Sequence, residues 1–161
     1  MKQGFSWVAA GVLVMGSVAL SACGGTEEQV AEPETGVPGM EITNARMVLA
    51  PVEGNPAAIY FDLAYNGERS VALRRADVEQ AGNAMLHQFG EYDFKVQMME
   101  MLPLVLNPGD EVSFQPNERH VMAMDVDPSV EPGDTVDVTL TVAGGKQHTF
   151  QAEVRGAGED R

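Results

Sequence analysis

The chain has 161 residues, enough for one domain around a single core and too few for two comfortable ones. Its 24 acidic side chains outweigh 10 basic ones, for a formal net charge of −14. That balance excludes nucleic acid and anionic lipid headgroups as charge-held partners, because both would be repelled.

Residues 1 to 22 read as a lipoprotein export leader: Lys2 supplies the positive start, and Phe5 to Leu20 is apolar, short and interrupted by glycine and serine. A permanent spanning helix wants about 20 apolar residues without such interruptions. The run ends in Leu20-Ser21-Ala22-Cys23-Gly24, which resembles the lipobox of bacterial lipoproteins. The resemblance implies cleavage before Cys23 and attachment of a diacylglycerol to its thiol. Cys23 is the only cysteine, so the mature chain is expected to carry neither a free thiol nor a disulfide. Loss of Lys2 makes the mature chain one charge more acidic than −14, and the acyl group, not a basic patch, would hold it to a membrane.

Residues 23 to 39 form the lipidated cysteine and an acidic tether. The 16 residues from 24 to 39 are rich in Gly, Glu, Pro and Thr and have almost no large apolar side chain. Such a segment cannot bury enough surface to offset its ordering entropy, and as a flexible coil it would reach roughly 20 Å.

The folded domain is expected over 40 to 156, followed by a short tail, 157 to 161. Candidate strands are 42 to 49, 57 to 65, 70 to 76, 84 to 89, 93 to 99, 111 to 115, 119 to 126, 135 to 142 and 149 to 154. Turn chemistry at Asn66-Gly67, Asn107-Pro108-Gly109-Asp110 and Pro132-Gly133-Asp134 separates several of them. In 135 to 142, Val136, Val138, Leu140 and Val142 share one face; Phe150, Ala152 and Val154 do so in 149 to 154. Gly144-Gly145 lies between these two runs and predicts a hairpin. No segment sustains helical periodicity, so the fold class is all-β, an antiparallel sandwich or Greek-key barrel.

Methionine is the compositional anomaly. Outside the leader the chain holds eight, and six of them (Met85, Met98, Met99, Met101, Met122, Met124) fall between 85 and 124, together with His87 and His120. A single methionine usually fills an irregular core gap. A core that merely needed volume would use Leu, Ile and Val, so this concentration beside imidazoles points to ligation. Cu(I) favours thioether sulfur and accepts imidazole, whereas zinc sites use Cys, His and carboxylates, and Ca²⁺ or Mg²⁺ want oxygen. A blue-copper electron carrier needs a cysteine that the mature domain lacks. On a strand, His120, Met122 and Met124 of the run RHVMAM would share one face.

The spacing of His87, Met98, His120 and Met122 spells H-x10-M-x21-H-x-M, the signature of the PCuAC family of periplasmic copper chaperones, which this chain resembles. ITNAR at 42 to 46, NPAAIYF at 55 to 61, Pro108-Gly109, HVMAM at 120 to 124 and EPGDTVDVTLTV at 131 to 142 are also similar to that family. The resemblance spans about residues 40 to 155. It implies a cupredoxin-like β-sandwich, one Cu(I) held by His87, Met98, His120 and Met122, and delivery toward the dinuclear copper centre of cytochrome c oxidase, often alongside Sco-type proteins. Met124 has the parity of His120 and Met122 but is expected to pack beside the site, since the quartet is complete without it. Met99 and Met101 would shield the site or help hand over the ion, with core filling the simpler role for each taken alone; Met85 is given no chemistry. His148 is expected to be a solvent-facing strand residue. Two departures stand out: the position after Met98, usually basic in relatives, is Met99, and the sequence ends at Arg161 without the His- and Met-rich tail of some relatives.

Two rival functions share these residues. One is copper buffering for resistance; the other is a metal-free envelope module that binds protein through its methionines. Enzymatic activity is not expected, because no nucleophile, base and orienting acid are arranged together. The expected location is the periplasm, lipid-anchored. Gly24 after the lipidated cysteine suits outer-membrane sorting, whereas an oxidase sits in the inner membrane.

Overall fold

The computed structural model describes residues 36–159. The leader, Cys23 and most of the tether lie outside the described residues, as do the last two positions. The described chain is built from ten strands: β1 (Met40–Val48), β2 (Ala57–Tyr65), β3 (Val71–Val78), β4 (Ala81–Tyr92), β5 (Lys95–Glu100), β6 (Leu104–Leu106), β7 (Asp110–Phe114), β8 (Arg119–Val126), β9 (Thr135–Val142) and β10 (Gln147–Arg155). No helix occurs among the described residues.

The strands pair in the order β5-β4-β8-β7-β2-β1-β10-β9-β3-β6, with β8 also pairing β2. The two ends of this order are joined twice, by residues 79–80 between β3 and β4 and by 101–103 between β5 and β6. The sheet is therefore folded over on itself as a sandwich. One apolar cluster fills the inside, with Ile59, Phe61 and Leu63 of β2 and Val121 of β8 joined by Leu73 of β3, Val138 and Leu140 of β9, and Val154 of β10. Phe61 stacks on Phe114 at 4.3 Å between ring centroids and meets Phe150 at 5.1 Å.

The alternation expected in β9 is the alternation found: Val136, Val138, Leu140 and Val142 are buried and the residues between them are not. β9 and β10 form the hairpin that Gly144-Gly145 predicts, with Val142↔Lys146 closing the turn and Thr139 opposite Thr149. Two pairings are parallel instead of antiparallel, β1 with β10 and a single contact of β7 with β8. A period-2 pattern carries no information on direction, which is why neither was legible in the sequence. The short β6 was also missed, because three residues are too few to show any period.

Candidate metal centre

β4 and β8 are antiparallel neighbours whose register sets His87 opposite His120, Met85 opposite Met122 and Asn83 opposite Met124. Directly opposed residues project to the same side of a sheet. Leu86 and Val121, paired between those rows, are buried in the core. The histidines and Met85, Met122 and Met124 therefore stand on the outer side. β5 adds Met98 opposite Phe89, and Glu100 opposite His87, on that same side. Residues distant in the chain, His87, Met98, His120 and Met122, are thus gathered on one face of three adjacent strands.

Within that face, His87 Nδ1 lies 3.2 Å from Met98 Sδ. Two donors on one ion, at zinc-like bond lengths of roughly 2.0 Å to nitrogen and 2.3 Å to sulfur, stand roughly 3.5 Å apart in a tetrahedron. The His87–Met98 pair is close to that spacing without further movement. The rings of His87 and His120 are nearly perpendicular, at 87°, with centroids 6.0 Å apart. Met122 follows His120 on the same side of β8, flanked by Met85 on β4 and by the small Ala58 on β2.

His120 is only 4% exposed although it points away from the core. Tyr60, at 6.3 Å, and Phe89, at 5.8 Å between centroids, enclose its ring. Arg46 in turn stacks over Tyr60, 5.1 Å from its centroid. Burial pushes the His120 imidazole below the usual histidine range, and the neighbouring His87 acts in the same direction, against the backbone contact with Glu118. Neutral imidazole is the ligating form, so this burial favours metal binding. Met98, by contrast, is 42% exposed, so the enclosed His120 and the open Met98 give the site a dry side and a wet side.

Among the described residues no three His, Cys, Asp or Glu side chains gather into a metal-binding group. Met98 and Met122, on the same face, could complete the donor set of an ion shared by the two imidazoles, a set suited to a soft monovalent cation.

Of the three further methionines proposed as neighbours, Met124 alone shares the outer face. Met99 is opposite Gln88, on the other side of β5, where its thioether lies over Gly90; a Cβ there would stand 2.9 Å from Met99 Cε. Met101 is buried in the core, and its amide donates to the Leu86 carbonyl at 2.8 Å. The sequence reading missed Tyr60 and Phe89, whose proximity to His120 depends on strand order, and Met85, whose parity with His87 was legible. His148 is not solvent-facing: it is half-buried, and its ring lies against Gly36, where a Cβ would stand 2.7 Å from Nδ1.

Comparison with known proteins follows the same lines. The sequence model of the LpqE-like lipoprotein family matches residues 40–154. No curated protein matches the chain. Among solved structures, the copper-bound PCuAC domain from PmoF2 is similar with a TM-score of 0.59 at 20% identity, covering 74% of this chain and 95% of that one. The apo PCuAC domain from PmoF1 has a TM-score of 0.61 at 21% identity, covering 74% and 96%. The CuI form of DR1885 from Deinococcus radiodurans has a TM-score of 0.58 at 23% identity, covering 78% and 84%. These likenesses establish the fold as that of PCuAC domains, a cupredoxin-like sandwich. With the family match running from β1 to β10, the chain belongs to the LpqE-like family and has the PCuAC fold.

Proposed function

We propose that this domain carries Cu(I) in the bacterial envelope, binding one ion through His87, Met98, His120 and Met122. The observation that carries the reading is the 3.2 Å approach of His87 Nδ1 to Met98 Sδ, on the face that also holds His120 and Met122. All four donors are neutral when they bind, so the ion keeps its single positive charge and is held by soft bonds, not by a carboxylate cage. Such bonds exchange readily with another thioether or thiolate. The copper-bound PmoF2 domain and the CuI form of DR1885 support copper as the cargo.

The role is carriage, not catalysis. The acceptor in this reading is the dinuclear copper centre of cytochrome c oxidase, reached directly or through a Sco-type protein. Diacylglycerol on Cys23 tethers the carrier to a membrane. If that membrane is the outer one, as Gly24 suggests, the tether is too short to reach an inner-membrane oxidase, and fractionation of the two membranes tests this part of the proposal.

Cu(I) titration of the mature protein against a competing chelator tests the site. One tightly held equivalent is expected, and none in the combined His87→Ala, Met98→Leu, His120→Ala, Met122→Leu variant. Equal binding by the two proteins would overturn the assignment. Single Met98→Leu and Met122→Leu variants preserve volume and should each weaken Cu(I) binding about tenfold or more, equivalent to about 1.4 kcal/mol. Their melting temperatures should stay near that of the parent, because neither methionine belongs to the apolar cluster or the partly buried residues packed against it.

A further inference from the structure

Met85 and Met124 have no place in the quartet, yet both share its face. Met85 stands directly opposite Met122, and Met124 follows Met122 by two residues on β8. Opposed side chains in a sheet have Cβ atoms about 5 Å apart, and same-side neighbours on a strand lie about 7 Å apart. Both spacings are within reach of flexible thioethers converging on one ion. All three methionines are half-buried. None of them is among the buried core residues or the partly buried side chains packed against the core. Core filling therefore does not explain them. The far side of Met122 is bordered by the small Ala58 of β2.

We propose that Met85, Met122 and Met124 form an all-thioether station for Cu(I), next to the quartet and sharing Met122 with it. This inference rests on the copper-carrier reading above and extends it. Because Met122 belongs to both donor sets, the chain holds one ion at a time, which moves along the β4–β8 ladder from the imidazole end to the sulfur end. No electron moves and no covalent bond of the protein changes; imidazole and Met98 leave the ion as Met85 and Met124 arrive. The sulfur end has no titrating donor, so an ion there is held independently of pH.

Methionine methyl NMR of the mature protein, titrated with Cu(I) under anaerobic conditions, reads the station directly. The Met85 and Met124 methyl resonances are expected to shift with those of Met98 and Met122. The volume-preserving Met85→Leu variant should keep the one-to-one stoichiometry while its release of Cu(I) to a thiolate chelator slows several-fold. In a His87→Ala, His120→Ala background, residual Cu(I) binding should be insensitive to pH and should fall about tenfold when Met85→Leu is added. Unmoved Met85 and Met124 resonances in a protein that binds Cu(I), with unchanged release from Met85→Leu, would overturn this inference and leave the quartet standing. A parent protein that binds no Cu(I) would overturn both.

Discussion

His120 shows how one residue joins packing to function. Its ring points outward from the sheet and is nevertheless enclosed by Tyr60, Phe89 and His87. Its imidazole titrates below the usual histidine range chiefly because it is buried. In the unfolded chain it would return to about 6.5. Between the lowered folded value and that one, the unfolded state binds more protons, so stability rises with pH across the window and is lost as pH falls through it. The metal-free protein should therefore lose stability on acidification below about pH 6.5, and His120→Asn should flatten that dependence, as followed by denaturant melts. A parent protein whose stability is level through this range would contradict the enclosed ring. The same residue marks what was legible beforehand. The four proposed donors were implied by the resemblance of the H-x10-M-x21-H-x-M spacing to the PCuAC signature, while the aromatic cover required knowing that β2, β4 and β8 are neighbours.

At the scale of the element, the β4–β5 hairpin is the least conventional piece. Tyr92 pairs with Lys95, leaving Asp93 and Phe94 as a two-residue turn with φ of 51° and 58°. Both values lie in the left-handed region, as a type I′ turn demands, and the second position there favours glycine or asparagine. Phe94 is 95% exposed, so its ring gains nothing from burial that would offset the strain. Phe94→Asn should therefore stabilise the protein by about 1 kcal/mol, measurable as a higher denaturation midpoint. An unchanged or lower midpoint would show that the tip is not strained. This turn also explains why β4 runs on to Tyr92, past the expected end at 89, and why β5 starts at Lys95 and not at the expected 93. Without a Gly-containing dipeptide the boundary between them had no sequence marker, whereas Gly144-Gly145 announced the β9–β10 hairpin plainly.

For the whole molecule, the surplus of acidic over basic side chains, a net charge of −14, sets the long-range field. Charge of one sign speeds encounter with a partner of the other sign and is screened over about 10 Å at 0.1 M salt. Copper transfer to an acceptor with a basic docking face should slow as ionic strength rises, seen in stopped-flow transfer rates; a rate independent of salt would remove electrostatic steering from the account. The all-β class was legible because apolar residues alternate cleanly in the sequences of β9 and β10. The closure of the sandwich by parallel β1 and β10 was not, because it joins residues about a hundred positions apart.

Met98 rides on β5, the outermost strand in the pairing order, held on one side only by β4. Its three proposed partners sit on β4 and β8, strands paired on both flanks. Peeling of a terminal hairpin arm is among the cheapest excursions a sheet makes, far below global melting. Such breathing would withdraw a single sulfur and leave the other donors seated, turning cargo discharge into a local event. Metal loading should then slow amide exchange over 95–100 more than anywhere in β9, and uniform protection would mean the arm plays no part in letting go.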